Sequence, residues 1–285
     1  MQSHHFPVDL KQTDGQSWGR SSKAFFATQP VGSAILFVHG FGGKATDTWL
    51  EFPRLLPLES ESAGWDLLFY GYDGKKARAA LSAAGLLQFL DELLVMPSTC
   101  VVNPSLTPGI PKRKKSFRYK RLIICAHSLG AIVSRLALLD AGNQTPPRPW
   151  LPRVRLLLFA PAHKGASIVP LISTALSSFV IGPMRGSIAV PTLKLWMPVL
   201  IDLDPQSDTL RELEARTVAA LGKNYSKNGH LRATVIHGGR DKVVNPNTFV
   251  GDYSPPIVYP AQSHTGVCKP KLGFTDPLTE LLKLL

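Results

Sequence analysis

Three residues of this chain, Ser128, Asp241 and His264, have the types and the order along the sequence that can make a serine hydroxyl reactive. A serine attacks an acyl carbon poorly until a base takes its proton, and an imidazole serves best when a carboxylate orients its other nitrogen. Ser128 lies in A-H-S-L-G-A, after the apolar run R-L-I-I-C and before the helical pattern I-V-S-R-L-A-L-L-D. A tight strand-to-helix turn there would lift the hydroxyl clear of a sheet edge and set a helix N-terminus behind it. Taken alone, the stretch reads better as a serine N-cap on an ordinary strand-helix unit. Small residues are wanted two before and two after the serine, where the chain is expected to approach itself; Gly130 meets that demand and Ala126 nearly does.

Asp241 follows A-T-V-I-H-G-G-R, and His264 lies in A-Q-S-H-T-G after the short run I-V-Y. An aspartate after Gly-Gly is also a common turn former, and a loop histidine is often only a surface residue. Asp252 and Asp276 are the next acids to consider should Asp241 not be the orienter. Upstream, F-V-H-G-F-G-G from Phe37 to Gly43 ends an apolar run in a glycine-rich turn whose backbone N–H groups could face a developing oxyanion. Such a turn can instead cradle phosphate, but neither G-x-G-x-x-G nor G-x-x-x-x-G-K-[ST] is present.

These residues need elements to hold them. Continuous apolar runs of strand length recur at Ala34 to Val38, Trp65 to Tyr70, Leu122 to Ala126, Val154 to Ala160, Ala233 to His237 and Ile257 to Tyr259. Continuous runs suit strands covered on both faces. Helical patterns lie between and after them, at Lys75 to Leu94, Ser128 to Ala141, Ser207 to Leu221 and Pro277 to Leu285. The alternation predicts an α/β fold with a mostly parallel central sheet and helices on both faces, in which reactive groups gather at the carboxyl ends of strands. Every candidate residue falls just after an apolar run.

The 285 residues read as one domain, with residues 1–30 as an N-terminal extension, 103–121 as a basic loop insertion and 165–206 as an apolar, lid-like insertion. The chain carries a net charge of +12, and seven of the ten residues from Lys112 to Arg121 are Lys or Arg. That run could contact an anionic membrane or nucleic acid. The surrounding prolines, and the lack of a repeated pattern of stacking aromatics, favour a solvated loop and make nucleic acid the weaker partner. No secretory leader and no stretch of spanning length are evident, and three unevenly spaced cysteines, Cys100, Cys125 and Cys268, are not a disulfide framework. A cytoplasmic setting is expected. The His4-His5 pair lacks companions at metal-ligand spacing, so no metal and no cofactor are expected.

With these residues in view, the sequence resembles the α/β-hydrolase lipases and serine esterases, and more closely their intracellular serine-active-site lipase-like branch. The matching segments are V-H-G-F-G-G, T-W-L-E-F, F-Y-G-Y-D, A-H-S-L-G-A-I-V-S-R, F-A-P-A-H-K-G-A-S, G-G-R-D-K-V-V-N-P and H-T-G-V-C-K-P, spread from about Ser33 to Pro270. The resemblance implies Ser128 as nucleophile, His264 as general base and acid, and Asp241 as its orienter. It further implies an oxyanion hole from the backbone N–H groups of Phe41 and Leu129, with His127 and His163 structural. The implied activity is hydrolysis of a carboxylic ester, with an acyl or lipid-like substrate suggested by the apolar insertion. Acyl transfer or thioester cleavage would use the same residues, and a non-catalytic binding module on the same fold is the alternative of another class. The departures from the family pattern are Ala126 in place of glycine and the basic insertion.

Overall fold

A computed structural model of the chain describes residues 5–10, 19–95, 113–114, 116–177, 196–223 and 228–285. Eight strands form one sheet: β1 (His5–Asp9), β2 (Lys23–Ala27), β3 (Ser33–Val38), β4 (Asp66–Tyr70), β5 (Arg121–His127), β6 (Val154–Phe159), β7 (Ala233–Gly238) and β8 (Ile257–Tyr259). Their order is β1-β2-β4-β3-β5-β6-β7-β8. From β4 to β8 every pairing is parallel, while β2 runs antiparallel to both its neighbours, β1 and β4. Every residue of β3 and β4 is buried, so both faces of the sheet are covered there, as their unbroken apolar runs require.

The helices are α1 (Phe52–Leu55), α2 (Ala79–Val95), α3 (Leu129–Asn143), α4 (Ile168–Ser177), α5 (Val199–Asp202), α6 (Asp208–Lys223) and α7 (Asp276–Leu282). Nearly all of α3 is buried, including Ser134 and Arg135. The guanidinium of Arg135 is matched inside by Asp252 and by the Leu231 carbonyl.

Register brings the functional loops together. Val38 pairs with Ala126 and His127 with Phe159, so the turn after β3, the turn after β5 and the turn after β6 leave the sheet side by side. Gly238 pairs with Tyr259, which places the loops after β7 and β8 at the same edge.

The structure sharpens two sequence expectations. The expected N-terminal extension, residues 1–30, contains β1 and β2, which complete the sheet, so these two strands are part of the domain's framework. Pro7 has no N–H for a ladder bond, and β1 pairs only with β2 at the sheet margin, where a proline is tolerated. The basic run is not simply solvated. Arg113 is buried and donates through Nε to the buried Asp66 of β4 at 3.2 Å and through Nη2 to the Ala27 carbonyl at 3.1 Å. The Tyr119 hydroxyl donates to the same carboxylate at 2.6 Å, as does the Ala27 N–H at 2.9 Å. Lys114, Arg118, Lys120 and Arg121 do face solvent. Residues 96–112, which include Cys100, and Lys115 lie outside the described residues.

Of the apolar insertion, α4 and α5 are described, while residues 178–195 lie outside. Leu171 and Ile172 turn into the core and Val169 outward. Asp202 of α5 ties the insertion to the start of α2, accepting from Arg78 Nε at 2.9 Å, the Ala79 N–H at 2.8 Å and the Thr209 hydroxyl at 2.7 Å.

Candidate active site

Ser128 occupies the sharp turn between β5 and α3 with φ 53° and ψ −118°, backbone that L-residues rarely adopt. Conformations of this kind cost about 1–3 kcal/mol and persist where the surroundings over-determine them. Here the Ser128 N–H donates to the Phe159 carbonyl at 3.0 Å, and the Ser128 carbonyl accepts from Ala131 at 3.1 Å. The serine side chain makes no cap bond to α3, so the N-cap reading of this residue does not describe it.

The glycine demand is real but its cause differs from the sequence expectation. The atoms nearest a methyl on Gly130 would be the Val38 and His39 carbonyl oxygens at 2.3 and 2.5 Å, backbone at the end of β3, and not Ala126. Gly40 is the complementary close approach: a side chain there would meet His127 Nδ1 and Ser128 Cβ, each at 2.9 Å.

His264 Nε2 lies 3.0 Å from Ser128 Oγ, and His264 Nδ1 lies 2.8 Å from Asp241 Oδ2. All three residues come from loops at the carboxyl edge of the sheet, after β5, β7 and β8. Asp241 is fixed by its own turn, its second oxygen accepting from the N–H groups of Val243 at 2.7 Å and Val244 at 3.0 Å. Burial pushes the Asp241 carboxyl up, but the His264 hydrogen bond and charge and the two N–H donors outweigh it, and the carboxyl ends below its ordinary range. An anionic Asp241 fixes the His264 proton on Nδ1 and leaves Nε2 bare toward the serine hydroxyl. Asp252 is engaged with Arg135 and Asp276 opens α7, so neither competes for this position.

The structure also shows what holds the frame. His127 Nε2 donates to the His264 carbonyl at 2.8 Å, and burial followed by the neighbouring His264 pushes its pKa down to about 3. It is a neutral strut between the serine turn and the histidine loop. His39 does the same for the glycine-rich turn: Nδ1 donates to the Gly40 carbonyl at 2.8 Å while Nε2 accepts from the Tyr72 N–H at 3.3 Å. The Tyr72 hydroxyl returns a bond to the His39 carbonyl at 2.8 Å, and the two rings stack 4.4 Å apart. Sequence reasoning missed Tyr72 as a support; the F-Y-G-Y-D segment was the signal that contained it. The His163 ring packs on Phe249, centroids 4.4 Å apart.

Among the described residues the Phe41 and Leu129 N–H groups donate to nothing in the protein. Phe41 lines a cavity of about 70 Å³ in front of Ser128, together with Gly40, Leu171, His264 and Cys268. Burial pushes the Cys268 thiol up to about 12, so it stays protonated and apolar in this wall.

Solved structures share this architecture. The mature form of a Bacillus licheniformis lipase superposes with a TM-score of 0.52 at 15% identity, covering 90% of this chain and 92% of its own. A peroxisomal α/β-hydrolase of Saccharomyces cerevisiae gives 0.51 at 13% identity over 99% and 90% of the two chains. A carboxylesterase of Nitrososphaera gargenis gives 0.51 at 12% identity over 96% and 98%. The chain has the α/β-hydrolase fold. No family model and no curated protein sequence matches it. In this α/β-hydrolase fold the glycine-rich turn, the Ser128 turn and the two loops carrying Asp241 and His264 occupy one edge of the sheet.

Proposed function

We propose that this protein is a serine hydrolase that cleaves carboxylic esters through an acyl-enzyme on Ser128. The observation that carries the reading is the continuous relay from Ser128 Oγ to His264 Nε2 at 3.0 Å and from His264 Nδ1 to Asp241 at 2.8 Å, anchored on a positive-φ serine. His264 takes the serine proton as Oγ attacks the ester carbon, and the Phe41 and Leu129 N–H groups hold the oxyanion of the tetrahedral intermediate. The imidazolium then gives its proton to the departing alcohol. Water, deprotonated by His264 in turn, attacks the acyl carbon and releases the acid. Every proton taken is returned, so no further group is required to balance the cycle.

An acyl-bearing, lipid-like substrate is supported by Leu171 of α4 in the wall of the serine cavity and by the lipases among the structural neighbours. The test is labelling with a fluorophosphonate probe and turnover of p-nitrophenyl esters, wild type against Ser128→Ala. The wild type should label and turn over, and the variant should do neither. A wild type that fails at both would leave a binding module on this fold as the better account.

A further inference from the structure

A second cavity of about 390 Å³ adjoins the serine cavity, and the two share Gly42 and Gly43 as their common wall. A group held in the larger cavity therefore lies next to the space in front of Ser128. The lining of the larger cavity is strongly cationic: Arg20, Lys23, Lys44 and Lys75 face it against two carboxylates, Asp47 and Asp73.

Both carboxylates are already engaged. Asp73 pairs with Arg20 at 2.9 Å and accepts from the N–H groups of Lys75 and Lys76. Asp47 pairs with Lys44 at 3.1 Å and accepts from the Thr46 hydroxyl at 3.2 Å. Lys23 stands close enough to help lower the Asp47 carboxyl, yet makes no ion pair among the described residues. His39, also in the lining, is neutral and its ring nitrogens are committed to Gly40 and Tyr72. With Arg20 and Lys44 paired to the two carboxylates, Lys23 adds a positive charge that no ion pair among the described residues offsets, a lining that favours an anion.

Resting on the hydrolase reading above, we propose that this cavity is a substrate subsite for a phosphate group, so that the preferred esters carry a phosphate on the side of the molecule away from the scissile bond. Arg20 and Lys23 come from the segment around β2, which gives that part of the chain a role in specificity as well as in the sheet.

The experiment compares kcat/KM for monobutyrylglycerol and for the butyryl ester of glycerol 3-phosphate. The wild type should prefer the phosphate ester. The ratio should fall by about tenfold in Lys23→Gln and in Lys44→Gln, the scale of one solvent-exposed charge-assisted hydrogen bond. It should rise in Asp47→Asn, which removes an opposing carboxylate. Inorganic phosphate should compete with the phosphate ester; if it instead alters turnover of the neutral ester without competing, the cavity is an effector site and the proposal falls. Repeating the ratio with micellar monoacylglycerol and lysophosphatidate identifies the source of the phosphate, since sensitivity confined to micelles assigns it to a lipid headgroup and sensitivity with the butyryl pair to a water-soluble ester. A wild type that labels with fluorophosphonate and cleaves the neutral ester, but whose ratio is the same in all variants, overturns the subsite and leaves the hydrolase reading intact. Should no ester be cleaved, calorimetric titration of Ser128→Ala with glycerol 3-phosphate decides the subsite by itself, and absence of binding overturns it.

Discussion

At the scale of single residues, the site depends on which atoms are kept small and which are kept charged. Gly130 faces two carbonyl oxygens at the end of β3, 2.3 and 2.5 Å from where a methyl would sit. Backbone cannot retreat as a side-chain tip can, so Gly130→Ala should displace the serine turn and abolish labelling by a fluorophosphonate probe. Ala126→Gly should keep its activity and lose about 1 kcal/mol of stability as a glycine within a strand. Full labelling of Gly130→Ala would contradict the tight packing described here. Asp241 sets the tautomer of His264, and an amide can turn its NH₂ toward Nδ1 and move the ring proton to Nε2. Asp241→Asn should therefore lower kcat for ester cleavage by about 10⁴-fold while changing KM little. A loss confined to KM would show that Asp241 contributes to binding and not to the chemistry.

At the scale of elements, the convergence of Ser128, Asp241 and His264 could be anticipated because each follows an apolar strand, and strand ends in a parallel sheet share one edge. The strands themselves were legible for the same reason: A-I-L-F-V and V-R-L-L-L-F-A have no other use for so many apolar residues in a row. What was not legible depends on pairing across the chain. Pro7 obscured β1, and nothing in K-A-F-F-A announces an antiparallel partner for β4. Asp66 opens β4 as a charged residue, and only the fold reveals that Arg113, forty-seven positions later, enters to meet it. The Arg113 and Asp66 side chains are 2% and 0% exposed, so removing one partner strands the other charge inside. Arg113→Ala should cost about 3–5 kcal/mol, read as a drop in the urea midpoint, whereas exposed Lys114→Ala should be near neutral. Since Asp66 is the first residue of β4, at the edge opposite the serine, molecules of Arg113→Ala that remain folded should hydrolyse ester normally. An equal and negligible effect of both substitutions would mean that the basic run is solvated throughout.

At the scale of the whole molecule, charge is divided between the two edges of the sheet. The exposed cations Lys114, Arg118 and Lys120 precede the amino end of β5, while Ser128 follows its carboxyl end, about 20 Å away over seven residues. A membrane held by that run would face away from the serine, whereas the cationic cavity beside Gly42 and Gly43 lies at the edge that carries Ser128. The interior has its own pH dependence. Burial pushes His39 down to about 4, His127 to about 3 and His230 to about 4, whereas an unfolded chain holds histidine near 6.5. Below about pH 6.5 the unfolded chain therefore takes up protons that the folded chain refuses, and stability falls as pH falls until the folded values near 4 are reached. Each ring contributes up to about 1.4 kcal/mol per pH unit, so the three together approach about 4 kcal/mol per unit, a large part of the stability of an ordinary domain. The urea midpoint should accordingly be level above pH 7 and drop steeply between pH 6 and 4.5, with unfolding in buffer alone before the carboxylates titrate. A midpoint that holds steady from pH 7 to 5 would show that these rings charge within the fold, and the neutral struts assigned to His39 and His127 would have to be given up.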